Sequence, residues 1–473
     1  MESVPTELLV KFLALLNGYE IAKCRRVSRR FDDIVRNTVL LQYLIELDAA
    51  GYEDRPNASA LSIGERFEAL RESQRLWMNA DIQAEAQIGP FKIGSEVLGY
   101  GQQRCYSDLA SVLFVEMQPA TDHTVTRIHL ALPQYCDAVH VVPEQDLLLT
   151  AYGTRLHLLS LATQKQHERA SREVLHMQTE FGPSDKMCVL RDLLVILPNE
   201  HHLAVYRWTS GELLGTHTSL HTICDVRIAN GDFILALTSH NNEQMAVEVL
   251  GLFNLWAPSI LSHKARFMLP VLLPELFVDL DYPEITHTPK LWFNKSICGV
   301  EPTCPIMPSD GSFFIINVNC FFLVLVPSLS FLPALHHHGA EPLVIPWPKW
   351  GPNGTRVCEY YVDHPLYVIG TSVLMSDALW NFNPLTLNAD SYSEDHGHVN
   401  YMPTKLDTDI TLQEDVITCL PYQEIHYYLE ATPDWSFEME PYVVESLNGP
   451  KLVLEDSQWN NGHKILLHIL KLH

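Results

Sequence analysis

Apolar residues in the first forty positions recur at helical spacing. Pro5 suits the first turn of a helix, where a missing N–H costs nothing, and Glu7 lies near the positive end of the helix dipole. Leu8, Leu9, Phe12, Leu13 and Leu16 continue as a stripe of 3.6-residue period. Asn17-Gly18, a pair well able to take a left-handed backbone, is expected to end that helix. Ile21, Cys24, Val27, Phe31, Ile34 and Val35 resume the helical offsets, with Ser28 placed to cap a restarted helix. Two or three short helices sharing one apolar face are predicted. Glu53 to Leu61 reads as a polar loop around Arg55-Pro56-Asn57, and Ser62-Ile63-Gly64-Glu65 has the spacing of a capping box. Ile63, Phe67, Leu70 and Trp77 then fall on one face of a helix over 63–79. A helical connector would fix the bearing of the second domain relative to the first, whereas a Gly/Ser linker would let it swing.

Beyond about residue 88 the pattern changes to short apolar runs separated by Gly, Pro, Asn and Asp. Three segments share a frame: one from Asp137 through Asp146 to Leu161, one from Asp185 through Asp192 to Gly211, and one from Asp225 through Asp232 to Leu250. In each, a turn ending in Asp leads to a β-rich run, a loop and a second β-rich run. A period in the forties with about four strands per unit is the signature of a β-propeller blade. Val205 to Leu213 resembles the third strand and turn of a WD-type repeat, although the Gly-His and Trp-Asp pairs of such repeats are absent. The remaining length allows up to eight blades at roughly 45 residues each. Reading Leu261–Pro289 and His336–Pro352 as loops reduces that number to six or seven. The uncharged stretch from Gly311 to Ala340 is too interrupted for a membrane helix, with Asn317, Asn319, Pro327 and Pro333. Its β-branched and aromatic content predicts two buried strands, Ser312–Val318 and Phe321–Val326.

Composition narrows the function classes. The chain has 473 residues, 47% of them hydrophobic, enough for a sizeable core. A formal charge of −25 argues against duplex nucleic acid as a partner, because that binding needs a basic surface. The acidity is placed unevenly: residues 357–456 hold 18 acids against Lys405 and Lys451 alone. Solvated acidic loops explain this, and so would a negative face that steers a basic partner. Met1-Glu2-Ser3 has no basic n-region, so a cytoplasmic or nuclear location is expected. There the ten cysteines would be small core hydrophobes and the sequons at Asn57, Asn294 and Asn353 idle.

Candidate chemistry is sparse. His336-His337-His338 cannot readily aim three consecutive side chains at one metal. Cys298 and Cys304 have no second pair, and His396-Gly397-His398 beside Glu394 and Asp395 stands alone. There is no G-x-S-x-G elbow, H-E-x-x-H helix or phosphate-binding glycine loop. No enzyme, metal or cofactor is expected.

The residues that open the chain carry a resemblance. Val4-Pro5-Thr6-Glu7-Leu8-Leu9, Phe12-Leu13-Ala14-Leu15-Leu16 and Cys24-Arg25-Arg26-Val27-Ser28-Arg29-Arg30-Phe31 resemble the F-box pattern in order and spacing. They depart from it in Val4 for the usual Leu, Ser28 for a second Cys and Phe31 for Trp. Leu41 to Gly51 and Glu65 to Trp77 are more weakly similar to fungal F-box proteins of the basidiomycete type. Joined to the repeat reading, the resemblance implies an α+β multidomain chain: a small N-terminal all-α F-box domain over 1–48, a connector over 49–87, and a large all-β domain over 88–473, six- to seven-bladed as a propeller. It implies a non-catalytic substrate adaptor of an SCF-type ubiquitin ligase, docked on a Skp-type linker protein and through it on a cullin. The propeller would hold an unknown protein substrate, a basic one if the acidic face does the steering. Pro5, Leu8, Leu9, Phe12, Leu16, Val27 and Phe31 are the partner-binding residues on that pattern, with Leu13 and Cys24 as internal packing. The same resemblance admits an interaction scaffold working outside a ligase, which cullin co-purification would separate from the adaptor.

Overall fold

The computed structural model describes residues 4–55, 58–79, 83–88, 112–117, 126–131, 137–142, 145–177, 180–181, 186–229, 233–240, 244–252, 260–272, 284–287, 306–309, 312–318, 322–331, 334, 337, 339, 341–359, 367–374, 378–387, 398–406, 412, 416–426, 439–446, 449–456 and 467–471. The repeat-leading Asp185, the turn residue Asp232, Cys298, Cys304, His336, His338, Glu394 to Gly397 and the side chain of Trp77 lie outside the described residues.

The chain begins with α1 (Thr6–Leu13), α2 (Gly18–Cys24), α3 (Arg29–Arg36), α4 (Val39–Ala49) and α5 (Ile63–Asn79). Ser28 caps α3, its Oγ accepting the Phe31 N–H at 3.3 Å. Ser62 and Glu65 form the reciprocal capping box of α5, with Ser62 N donating to Glu65 Oε2 at 2.8 Å and Glu65 N to Ser62 Oγ at 3.3 Å. Asn17 differs from expectation: it starts α2 instead of ending α1, holding extended backbone while its side chain accepts the Glu20 N–H at 2.8 Å. Gly18 serves close packing, not a left-handed turn. A Cβ there would lie 2.6 Å from both the Leu44 oxygen and the Asp48 Cβ, so only glycine lets α2 approach α4. Leu9, Leu13, Ile21, Ile34, Val35 and Leu41 form the core of this helical unit.

Most of the described residues that follow lie in antiparallel sheet. After β1 (Tyr52–Asp54) and β2 (Gln83–Ile88), β3 (Val112–Met117) pairs with β4 (Thr126–Ala131). Three four-stranded meanders come next in chain order: β5 (Ala138–Val142), β6 (Leu147–Tyr152), β7 (Arg155–Ser160) and β8 (Val174–His176); β9 (Lys186–Leu190), β10 (Leu193–Asn199), β11 (His202–Arg207) and β12 (Glu212–Thr218); β13 (Thr222–Ala229), β14 (Phe233–His240), β15 (Gln244–Gly251) and β16 (Ser262–Val271). They coincide with the three segments aligned by sequence. Next come β17 (Glu284–His287), β18 (Ile306–Pro308), β19 (Phe313–Val318), β20 (Phe322–Pro327), β21 (Leu343–Ile345) and β22 (Arg356–Glu359). Of these, β17-β19-β20-β22 make one sheet, while β21 adds in parallel to β16. The chain continues with β23 (Tyr367–Ile369), β24 (Ser372–Leu374), β25 (Ala378–Asn381), β26 (His398–Asn400), β27 (Thr404–Leu406), β28 (Val416–Thr418) and β29 (Tyr422–His426). Here the sheet order is β23-β24-β25-β29-β26. The last sheet takes β30 (Met439–Ser446), β31 (Gly449–Asp456) and β32 (Leu467–Lys471), and β2 pairs with β32, so an early strand completes the final sheet.

Successive sheets pack face to face. One apolar cluster joins β5–β8 to β9–β12, a second joins β9–β12 to β13–β16, and others carry the stacking on through β19, β20 and β22 to β23–β25. Asp225 on β13 ties three first strands together. Its buried carboxylate accepts the Ile285 N–H on β17 at 2.8 Å and pairs with Arg227 at 2.9 Å and with Lys186 on β9 at 3.5 Å. The expected hairpin is present as β19 and β20, with Phe313 to Ile316 and Phe322 to Val326 all buried. Two stretches read as loops are not. Leu261–Pro289 contains β16, whose buried residues Ala265, Phe267 and Leu269 alternate with Arg266 and Met268 as on a strand with one deeply buried face, and His336–Pro352 contains β21 and most of a helix, Trp347–Gly354.

The helical unit is fastened to this array less by α5 than by the segment just before it. The expected loop after Glu53 begins as an edge: β1 pairs antiparallel with β18. Ser309 N donates to Gly51 O at 2.7 Å, Thr371 N to Ala50 O at 3.1 Å, and buried Arg55 Nε to Ile306 O at 3.2 Å. Gly51 and Gly370 meet back to back with φ of 69° and 59°, and a Cβ on Gly370 would stand 2.3 Å from Ala50 O. Glu53 adds an ion pair with Arg191 at 3.0 Å. Arg191 and Gly370 both lie in turns that join the first and second strands of their sheets.

Candidate functional site

The helix α1 is apolar on two sides. Leu9 and Leu13, four residues apart, enter the core of the helical unit, while Leu8 and Phe12, also four apart, face outward at 46% and 62% exposure. Leu15, in the turn after α1, extends the outward row at 82%, and Val27, between α2 and α3, stands 65% exposed. A helix this short normally hides its large side chains, so an outward apolar row is informative where a single exposed Leu is not. Pro5 precedes the row and is exposed. Leu16 and Phe31 are half-buried against the core, and Leu9 is inside it. The seven residues singled out by sequence thus divide into four on the surface (Pro5, Leu8, Phe12, Val27) and three that support it. Leu13 and Cys24 pack internally as expected. Leu15 is the residue that sequence reasoning missed, although its place seven residues after Leu8 and three after Phe12 carried the signal.

The unit under this row is firm. Arg71 makes a two-point ion pair with Glu46 at 2.8 and 3.1 Å and lies over the Phe67 ring, joining α5 to α4. Buried Tyr43 hydrogen-bonds Asp54, which Arg66 meets from α5 at 2.5 Å. Lys11, Lys23, Arg26 and Arg29 are exposed in the same helical unit, as is Glu7.

A second cluster is buried. Glu248 on β15, 1% exposed, holds Arg266 on β16 through Oε1 at 2.8 and 3.1 Å. His217 on β12 and His263 on β16 point Nε2 at Oε2 from 3.7 Å, and His240 on β14 faces Oε1 from 3.8 Å. At that separation no hydrogen bond forms, and Nε2 of His217 and of His263 are buried without one. Burial opposes ionisation of Glu248, yet His217, His263 and Arg266 together hold its carboxyl down at about 2. The signal available in the sequence was one carboxylate inside the apolar run Met245 to Leu250. Among the described residues no group of three His, Cys, Asp or Glu is placed to hold a metal ion, and no helix is long and apolar enough to cross a membrane. His337 hydrogen-bonds Glu341 O at 2.7 Å. Cys188 and Cys358 are buried thiols, and burial pushes Cys224 up to about 12.

Neither a family model nor a curated protein matches the chain. Among solved structures it is similar to the β-propeller domain of Myceliophteria thermophila Cps50 (Swd1), at 10% identity over 71% of this chain and 85% of that one, with a TM-score of 0.33. It is similar to the WD40 domain of Toxoplasma gondii coronin at 10% identity, covering 73% and 71% with a TM-score of 0.34. A chain of a mitotic checkpoint complex structure gives 10% identity, 81% and 92% coverage and a TM-score of 0.34.

Proposed function

We propose that this chain is a non-catalytic adaptor. Its helical unit is an F-box that docks on a Skp-type linker protein, and its β domain is a six- to seven-bladed propeller that holds a protein substrate for an SCF-type ubiquitin ligase. The observation that carries the reading is the outward row Leu8, Phe12 and Leu15, which lies within the residues that resemble the F-box pattern and whose helix already fills its own core from the other side. An apolar row of this kind is stabilised by a partner that covers it, and a few central side chains then dominate the binding energy. The propeller reading rests on sheets that stack in chain order and on β2 completing the last sheet, which would close the ring without a free edge. Among the described residues six sheets have four or five strands, and the two-stranded β3–β4 would make a seventh blade.

The adaptor needs no bond chemistry of its own. Holding a substrate near a charged conjugating enzyme makes transfer effectively intramolecular, and a rigid joint sharpens that gain by limiting the orientations sampled. The fastening at Gly51, Tyr52–Asp54 and Gly370 fits this use. In co-purification with a Skp-type linker, the wild-type chain is expected to be retained and the Leu8→Asp, Val27→Asp variant lost, both with the same unfolding of the β domain. Retention of the variant contradicts the docking.

A further inference from the structure

The Glu248 cluster sits at a seam. The apolar cluster between β9–β12 and β13–β16 includes Ala236 and Leu250, and the strand face that carries those two also carries Glu248, His240, His263 and Arg266. His217 reaches the same place from β12, the outer strand of the preceding sheet, and His221 from the turn that connects the two sheets, its ring stacked 3.6 Å from that of His240. The two sheets are therefore held together by an apolar region and, continuous with it, by a buried carboxylate, one guanidinium and four imidazoles.

We propose that this seam is a proton-triggered latch, closed while His221, His240 and His263 are neutral around the Glu248–Arg266 pair and loosened in acid as these imidazoles charge. The count of charges drives it. With neutral imidazoles, Glu248 and Arg266 cancel. Each proton added brings a positive charge beside Arg266, and among the described residues Glu248 is the one anion paired with these rings. The ring centroids of His221 and His240 are 3.6 Å apart, close enough to repel strongly once both are charged. Opening the seam hydrates the rings and relieves the repulsion.

Burial pushes His221, His240 and His263 down, with Glu248 opposing and Arg266 adding to each, and His240 falls to about 4. Above the ordinary imidazole value of about 6.5 the open and closed seams bind protons alike and pH has no effect. Below it the open seam takes protons that the closed one refuses, so stability falls as pH falls, down to about 4 for His240. The opening equilibrium gains about tenfold per pH unit for each proton so taken up. Glu248, held at about 2, keeps its charge through this window.

Amide hydrogen exchange on the full chain at pH 7 and pH 5, corrected for intrinsic rates, tests this. With one proton, exchange in β12 and β14–β16 is expected to accelerate by up to about 20-fold more than in β6 and β7. A His240→Gln, His263→Gln variant is expected to lose most of that difference. An equal response in all sheets overturns the proposal, as does an undiminished difference in a folded variant. His140 on β5, which burial lowers to about 4 beside Arg227, offers the rival origin, and acceleration centred on β5 would assign the effect there and overturn the latch. The wild-type comparison decides the matter even where the double variant fails to fold.

Discussion

The helix α1 and the hairpin β19–β20 are similarly apolar and end in opposite situations. In the hairpin both faces meet neighbours: Phe314, Ile316, Val324 and Val326 enter one inter-sheet cluster, and Phe313, Ile315, Leu323 and Leu325 the next. In α1 one face meets the helical core and the other meets solvent. An apolar strand between stacked sheets is consumed by the fold, whereas a second apolar face on a surface helix is surplus to it. The first predicts stability and the second a partner.

Substitutions break this contrast in order of size. Phe314→Ala should cost about 3–5 kcal/mol of stability, read as a fall in the urea midpoint, because the ring is fully buried and leaves a cavity. Leu8→Asp with Val27→Asp should leave that midpoint within about 0.5 kcal/mol, since both side chains are exposed, while each lost anchor weakens linker binding by about 2 kcal/mol or more. Gly370→Ala places a Cβ against Ala50 O in left-handed backbone and should cost about 2 kcal/mol, appearing as earlier proteolysis between the helical unit and the sheets. Ser28→Ala should cost about 1 kcal/mol, confined to the helical unit and visible in its amide exchange.

How legible an element was in the sequence depended on how local its cause is. The Ser28 cap, the Ser62–Glu65 box and α5 rest on residues within a turn of each other, and the structure has them where the spacing placed them. The three meanders were visible because strands leave an alternating trace and Asp137, Asp146, Asp192 and Asp225 mark their turns or first strands. Three things were hidden because their causes lie far apart in the chain. Gly18 is explained by Asp48, Gly51 by Gly370, and Glu248 by histidines on β12, β14 and β16. Asn17-Gly18 departs from its local preference for the same reason: the pair favours a left-handed turn, but an open N-terminus and an approaching helix decided its use. In the candidate site, periodicity picked out the apolar residues of α1. Which side of the helix stays exposed depends on α3 and α4, which short-range spacing does not encode.

The central claim is that the outward face of α1 is a docking surface. Titrating a purified Skp-type linker into the full chain by calorimetry tests it most directly. The account predicts saturable binding by the wild-type protein and none by the Leu8→Asp, Val27→Asp variant at an unchanged unfolding midpoint. Equal binding by both proteins, or none by the wild type, would contradict it.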